Sequence, residues 1–383
     1  MSIVGAHVEI DQGAIAANLR SIRQHLTGSP GPEVCVVMKA DAYGHGLELV
    51  LPLVLAEGFT TVGIASTEEA RRARELGFAG RLLRVRAAAP SEVSEGVGLG
   101  IEEWVGGFLH ARAIAEIAVA ARVEIPVHLA LNSAGLSKEC LDWRGGGGAS
   151  ELEAMLALRG LTVRGICTHF PSEEAASTRV GLDRFREEAA RVVSLLGADR
   201  SAGVQLHCAT SYAAFTVPES RLDLVRIGAA VYGDTSAAVD WQRRAMRVTA
   251  PVSTVNVYPA GSVIGYAGSP RLQHDSVIAT LPVGYGDGIP RAIGGRGNVL
   301  VRGKLAPIVD HFAMNSMAVD VTAIAGVLPG DEAVLYGWQG AAEIGGPSFE
   351  SQAGMIAAAA YTSWGQILPR IVRQAKPSSG NAG

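Results

Sequence analysis

The sequence predicts an α/β protein, a (β/α)8 barrel followed by a C-terminal, mainly β domain. Three observations carry this reading. Between Glu33 and Gly233, short apolar or β-branched runs alternate with helical patterns, as repeated βα units of a parallel sheet do. After about Asp234 the pattern changes to strand-like runs separated by Gly and Pro. The 383 residues, 48% of them hydrophobic, suffice for one large core or two ordinary ones. The expected division is residues 11–236 for the barrel and 237–383, joined by 1–10, for the β domain.

The barrel strands are expected at Val34 to Ala40, Thr61 to Ser66, Leu82 to Ala87, Glu103 to Gly106, Ile125 to Asn132, Val163 to His169, Val204 to Thr210 and Leu224 to Val231. Eight is the number that closes such a barrel, and about 200–250 residues is its usual size. The segments between them carry apolar residues at three and four spacing, as in Leu47, Val50, Leu51, Val54, Leu55 and in Phe185, Ala189, Val192, Val193, Leu196, which makes packing faces. Arg144 with Gly145 to Gly148 reads as a flexible loop. It lacks the Lys-Ser/Thr pair that a phosphate-cradling loop needs. In the second domain the strand-like runs are Val248 to Val257, Ser276 to Leu281, Val299 to Val309, Met317 to Val321 and Glu332 to Leu335, with a helix at Gln352 to Trp364. Val4 to Ile10 alternates in a way that adds one more strand.

The 33 basic and 37 acidic residues are mixed along the chain, so no basic stripe suggests nucleic acid or a lipid surface, and a small-molecule partner is expected. Cys35, Cys140, Cys167 and Cys208 lie far apart with no metal-ligand spacing; no metal is expected, and they read as buried thiols in a reducing compartment. The start MSIVGAHVEID has no charged region followed by an apolar one, and no apolar run is long enough to span a bilayer, so a cytoplasmic location is expected.

The sharpest chemical signal is Val37-Met38-Lys39-Ala40-Asp41-Ala42-Tyr43-Gly44-His45-Gly46, where an apolar strand ends in a lysine and enters a Gly-rich turn. Barrel active sites lie at the C-terminal ends of the strands. An amine in that mouth has a lowered pKa and is available to form a Schiff base.

This motif resembles the cofactor-lysine motif of the alanine racemases, fold type III enzymes that use pyridoxal 5′-phosphate. The resemblance runs from His7-Val8-Glu9-Ile10-Asp11 to Leu368-Pro369-Arg370. It implies a homodimer whose active sites are shared between subunits. Position by position, it implies that Lys39 holds the cofactor and acts as one catalytic base. Tyr43, Ser211 and the amides of Ile227 and Gly228 would bind the phosphate, and His169 would lie against the pyridine ring. Arg226 would face the pyridine nitrogen, supported by His207. An arginine does not release its proton at working pH, so that nitrogen stays unprotonated and the ring is a weaker electron sink, which suits racemisation. Racemisation also needs a second proton-transfer group on the opposite face. Tyr266, in Gly261-Ser262-Val263-Ile264-Gly265-Tyr266, matches the family's partner-subunit tyrosine. Tyr285, in Leu281-Pro282-Val283-Gly284-Tyr285-Gly286-Asp287-Gly288, and Met314 match substrate-side positions.

Some positions depart from the alanine-specific pattern. Asn315 follows Met314 where those enzymes carry aspartate, and Met-Asn resembles the broad-specificity branch. So do Tyr361-Thr362-Ser363-Trp364-Gly365, with Tyr361 as a second phosphate tyrosine, and Ala130-Leu131-Asn132-Ser133-Ala134-Gly135-Leu136-Ser137. Three positions fit neither branch. Lys138 stands where an arginine approaches the cofactor's phenolic oxygen, Thr210 replaces an asparagine, and Asp310-His311-Phe312-Ala313 replaces a Gly-basic-aliphatic-Ser run. An acid and an imidazole there could recognise a polar or cationic side chain, or be two solvated loop residues. The expected activity is therefore racemisation of a free amino acid, of broad or non-alanine specificity. Alanine racemisation proper, or a decarboxylase or side-chain lyase on the same scaffold, remain as alternatives. A non-enzymatic carrier of the cofactor is disfavoured by the roughly 140 residues that follow the barrel.

Overall fold

The computed structural model describes residues 5–26, 31–142, 148–266 and 269–373. Two compact units result, one of residues 15–42 and 47–243, the other of 5–14, 43–46 and 244–373. The chain opens on β1 (His7–Asp11), which belongs to the second unit. Val4 lies outside the described residues, as does the Arg144 to Gly147 part of the expected glycine loop; Gly148 opens the helix Gly148–Leu156.

All eight expected barrel strands are present. They are β2 (Glu33–Val37), β3 (Thr61–Ile64), β4 (Arg81–Arg84), β5 (Ile101–Val105), β6 (Ile125–Ala130), β7 (Leu161–Cys167), β8 (Gln205–His207) and β9 (Leu224–Ile227). Their order in the sheet is β8-β7-β6-β5-β4-β3-β2-β9, and every pairing is parallel. Between β8 and β9 the closure continues through Asp223 N–H to Leu206 C=O (3.1 Å) and Arg226 N–H to Ala209 C=O (2.9 Å). The strands end earlier than their apolar runs do, because residues beyond each C-terminal end turn toward the mouth. Thus Thr210 caps the helix Ser211–Thr216, and Val231 falls in the helix Ala229–Tyr232.

The second unit holds two sheets. One runs β14-β13-β16-β10-β1-β18, with β17 beside β16; the other is β11-β12-β15. Their strands are β10 (Met246–Pro251), β11 (Thr254–Tyr258), β12 (Ser276–Leu281), β13 (Asn298–Val301), β14 (Lys304–Pro307), β15 (Met317–Asp320), β16 (Glu332–Gln339), β17 (Ala342–Ile344) and β18 (Arg370–Arg373). The single run expected at Val248 to Val257 is two strands. The break falls where the chain changes sheets: Val252 N–H donates to Asp331 C=O and Ser253 N–H to Thr280 C=O. The run expected at Val299 to Val309 folds back at Arg302-Gly303, both at positive φ (52° and 72°), into the β13–β14 hairpin. The expected helix Gln352 to Trp364 is likewise two, Gly346–Ala353 and Ala357–Ile367, separated by Gly354 in the left-handed conformation. Trp364 is wholly buried against Tyr336 and Phe349, with ring centroids 5.3 and 5.4 Å away.

Candidate active site

In the barrel unit, Lys39 follows β2 at the C-terminal mouth. Its side chain is reachable by solvent, yet its amine sits below the usual lysine range. Desolvation is the main cause, since a concave mouth admits water without solvating a charge fully, and the Arg226 guanidinium adds to it. The chain then makes an unusual turn. Ala40, Asp41, Ala42 and Tyr43 all have φ of 54–55°, a left-handed turn built from residues that carry a Cβ. Each such residue costs about 1–2 kcal/mol relative to a right-handed one. Surrounding bonds hold the turn: Ala42 N–H to Met38 C=O (2.8 Å), Asp41 N–H to Glu69 Oε1 (3.2 Å) and Leu47 N–H to Asp41 Oδ1 (2.7 Å). Nothing in Ala-Asp-Ala-Tyr signals this conformation, and the sequence reading missed it.

His169, after β7, is pushed down to about 3, by burial first and then by Arg226 and Lys39. Arg226 on β9 is buried, with its guanidinium carbon 5.6 Å from the centroid of the Trp104 ring. Its Nη2 donates to Thr168 C=O (2.8 Å) and lies 3.4 Å from His169 Nδ1, and its Nη1 meets His207 Nδ1. Ser211 opens its helix with its Oγ accepting from the amides of Gly228 and Ala230, both at 3.2 Å. Ile227 ends β9 beside Val36, and the second converging amide is that of Ala230, which the sequence reading did not single out. Lys138 stands apart: it is 73% exposed and pairs with its neighbour Glu139 at 3.1 Å.

In the second unit, the Tyr43 and Tyr361 rings lie 6.4 Å apart, and His45 meets Tyr361 edge-on at 5.7 Å. A Cβ on Gly44 would sit 2.3 Å from Tyr361 O, and one on Gly365 1.8 Å from Gly44 O, so glycine is required at both by space. Tyr285, Met314 and Asn315 form one group: Tyr285 N–H donates to Ala313 C=O, Gly286 N–H to Met314 C=O, and Asn315 Nδ2 to Asp287 Oδ2 at 3.2 Å. An aspartate at 315 would set two carboxylates against each other there. Tyr266 projects from its own turn with 59% of its surface exposed.

Asp310 is neither a solvated loop residue nor open to a substrate. It is buried, its Oδ1 accepts from Ala318 N–H at 3.1 Å, and Oδ2 lies 3.2 Å from where a Cβ on Gly265 would be. Burial pushes its carboxyl up to about 6. Among the described residues, no group of three or more His, Cys, Asp or Glu side chains could hold a metal, and no helix is long and apolar enough to cross a membrane.

A parallel barrel that gathers at its mouth a desolvated lysine, a buried arginine and a serine with convergent amides has the layout of an enzyme that handles a small anionic ligand through an amine. Two family models cover the chain, the alanine racemase N-terminal domain over residues 10–236 and the alanine racemase C-terminal domain over 245–372. The chain is 42% identical over 369 residues to a broad specificity amino-acid racemase of Aeromonas hydrophila, covering 96% of this chain and 90% of that protein. It is 36% identical over 365 residues to a lysine racemase of Proteus mirabilis, covering 95% and 89%. The alanine racemase of Streptomyces lavendulae superposes with a TM-score of 0.87 at 29% identity, covering 98% of this chain and 99% of that one. That of Bartonella henselae, solved with covalently bound pyridoxal phosphate, gives 0.83 at 25% identity over 97% and 100%. The chain belongs to the alanine racemase family, and it is a racemase.

Proposed function

We propose that this protein inverts the α-carbon of free amino acids with a specificity broader than alanine, as a homodimer that uses pyridoxal 5′-phosphate. The observation that carries the cofactor assignment is the barrel mouth itself. Ser211 Oγ and the amides of Gly228 and Ala230 converge as a phosphate cradle would, and Lys39 is an amine depressed by desolvation, able to condense with an aldehyde. The likeness to broad specificity and lysine racemases, together with Asn315 in place of an aspartate, supports the substrate class.

When bound, the cofactor supplies an electron-accepting ring that acidifies the substrate's α-carbon. The chain's own residues do the rest. Lys39 would anchor the group and accept or return a proton at its Nζ. Tyr266, contributed across the dimer interface, does the same at its Oη from the other face. Arg226 would donate to the ring nitrogen and keep it unprotonated, supported by His207, and His169 would face the ring. Tyr43, Tyr361 and Ser211 would hold the phosphate with the amide of Gly228 and, in place of that of Ile227, the amide of Ala230, and Lys138 would serve the phenolic oxygen on leaving its partner Glu139. Tyr285, Met314 and Asn315 line the substrate side, where Asn315 tolerates the approach of Asp287 without a second negative charge.

The test is incubation of the purified holoenzyme with single L-amino acids in deuterated water, followed by chiral chromatography and mass spectrometry. Inversion with one α-deuterium is expected for several side chains, basic ones among them; turnover of alanine alone, or loss of the carboxylate or side chain, would overturn the assignment. Lys39→Ala should carry no borohydride-trappable cofactor adduct. In Tyr266→Phe, one enantiomer should still exchange its α-hydrogen with retention while inversion fails. Equal exchange of both enantiomers would contradict the two-base scheme.

A further inference from the structure

Barrel interiors are ordinarily filled with layers of branched apolar side chains. Here a continuous line of hydrogen bonds runs instead from the N-terminal ends of the strands to the C-terminal face. Arg81, which opens β4, donates Nε and Nη2 to the two oxygens of Glu102 (2.9 and 2.8 Å) and Nη1 to Glu33 and Gln205 (2.7 and 2.9 Å). Glu102 Oε2 lies 2.7 Å from His128 Nε2, and His128 Nδ1 lies 2.8 Å from His207 Nε2. His207 Nδ1 meets Arg226 Nη1 at 2.5 Å.

The two ends of this line decide where its protons are. A guanidinium has donors only, so His207 Nδ1 must accept. The ring proton of His207 is then on Nε2 and is donated to His128 Nδ1. That places the proton of His128 on Nε2, where it is donated to the Glu102 carboxylate. Every link has one donor and one acceptor, both rings are neutral in a single tautomer, and the three donations from Arg226 through His207 and His128 to Glu102 all point toward the barrel floor, where the two from Arg81 meet them at Glu102. Both histidines are wholly buried, which holds each of them below the usual imidazole range.

The surrounding strands make room for this line. His128 and His207 reach each other across β7, and there β7 carries Gly165, whose Cβ would lie 2.2 Å from His128 Nδ1. The β6–β7 register also shifts between Val127 and His128. Gly165 is a glycine because of space, since its φ is not in the left-handed region.

We propose that His128 and Glu102 are positioning residues for the racemisation: they hold His207 in the tautomer whose Nδ1 accepts, and through it they orient the guanidinium of Arg226. This rests on the role given to Arg226 above. The network is not explained by stability alone, because a buried ionic cluster can commonly be replaced by apolar side chains of similar volume without loss. A fully satisfied line with one permitted direction does something apolar packing does not, which is to fix the orientation of the group at its end.

The experiment compares wild type with His128→Phe, Glu102→Gln, Glu102→Asp and Gly165→Ala, as holoenzyme for kinetics and as cofactor-free protein for ¹⁵N-histidine NMR. Wild type should show His128 and His207 both neutral with the proton on Nε2. His128→Phe keeps the ring's bulk and removes the acceptor of His207, so kcat should fall roughly tenfold or more with KM within about twofold. Gly165→Ala, which changes no polar group, should act in the same direction, and Glu102→Asp should recover part of what Glu102→Gln loses. A wild-type ring carrying its proton on Nδ1, or folded Glu102→Gln and His128→Phe enzymes with undiminished kcat, would overturn the proposal. If His128→Phe does not fold, Glu102→Gln and the wild-type spectrum decide. An inactive wild type takes down the proposed reaction and this inference together, whereas an active wild type with the wrong tautomers takes down the inference alone.

Discussion

Lowering the pH from 6 to 5 should destabilise the cofactor-free protein, and three histidines set the scale. Burial lowers His128 and His207 and pushes His169 down to about 3, while in the unfolded chain each takes up a proton near 6.5. Because the folded values lie below the unfolded ones, the native state binds fewer protons. The stability these groups contribute is present above about pH 6.5 and is lost as the pH falls. Each unmatched proton is worth about 1.4 kcal/mol per pH unit. Two carboxyls work the other way: Asp310, raised by burial to about 6, and Glu103, also raised by burial, hold protons in the native state that the unfolded chain releases. Near pH 5, up to three protons taken up on unfolding less one or two given off leave at most two, a loss of up to about 2.8 kcal/mol per pH unit. His7, raised by its hydrogen bond to Glu9, differs between the states only above about pH 6.5 and so stays out of this window. Below about 4.5 the loss should steepen, because Glu9, held at about 2 by His7, and Glu92, held at about 2 by Arg86, stay ionised in the native state while the unfolded chain takes up a proton at each. Urea midpoints at pH 7, 6 and 5 measure the effect, provided the slope m is constant. A midpoint that holds steady or rises from pH 6 to 5 would refute the neutral-histidine assignment.

Other outcomes follow from single contacts. Gly44→Ala combines a φ of +77° with a Cβ 2.3 Å from Tyr361 O, and should lower stability by about 2–4 kcal/mol, seen as a drop in Tm; an unchanged Tm would contradict the close approach. Asp310→Asn removes a carboxylate that burial disfavours. Its raised pKa means the cost builds as the pH rises from about 4 through about 6 and is fully present above that, so the variant should be more stable by about 1 kcal/mol at pH 8, after allowance for screening, and no more stable near pH 4. Thermal unfolding at the two pH values checks this, and destabilisation at pH 8 would rule it out. Cys35 and Cys208 are pushed up to about 12 and Cys140 to about 11, and Cys167 is raised further, burial being the main cause for all four. Native protein should therefore react slowly with a thiol-specific reagent at pH 8 and release four equivalents once unfolded; a fast native thiol would show an open site.

How far the site could be read in advance depends on how local each signal is. Lys39, His169 and Arg226 stand at or near the ends of apolar strands in a counted series, and a residue at the end of a barrel strand must face the mouth. The pairing of Tyr43 with Tyr361 has no local mark, because 318 positions separate two residues that meet only through Gly44 and Gly365. Asp310 was misjudged for a related reason. An acid between Val309 and His311 looks like a loop residue, and its burial comes from Gly265 and Ala318, neither of them near in sequence. Glu102 and His128 carry no mark in the sequence, because a lone His or Glu inside a strand is unremarkable until the neighbouring strand, or the one beyond it, supplies its partner.

The alternation of short apolar runs with helical faces was enough to determine the barrel, the β unit after it and the lysine at the mouth. Each of those depends on residues within one turn or one strand of each other, where backbone period and side-chain polarity are coupled directly. The left-handed turn after Lys39, the cradle of Ser211 with Gly228 and Ala230, and the proton order from Arg226 to Glu102 were decided only by the tertiary structure. They depend on donors and acceptors brought together from different strands, and a hydrogen bond's direction is known only when both of its ends are.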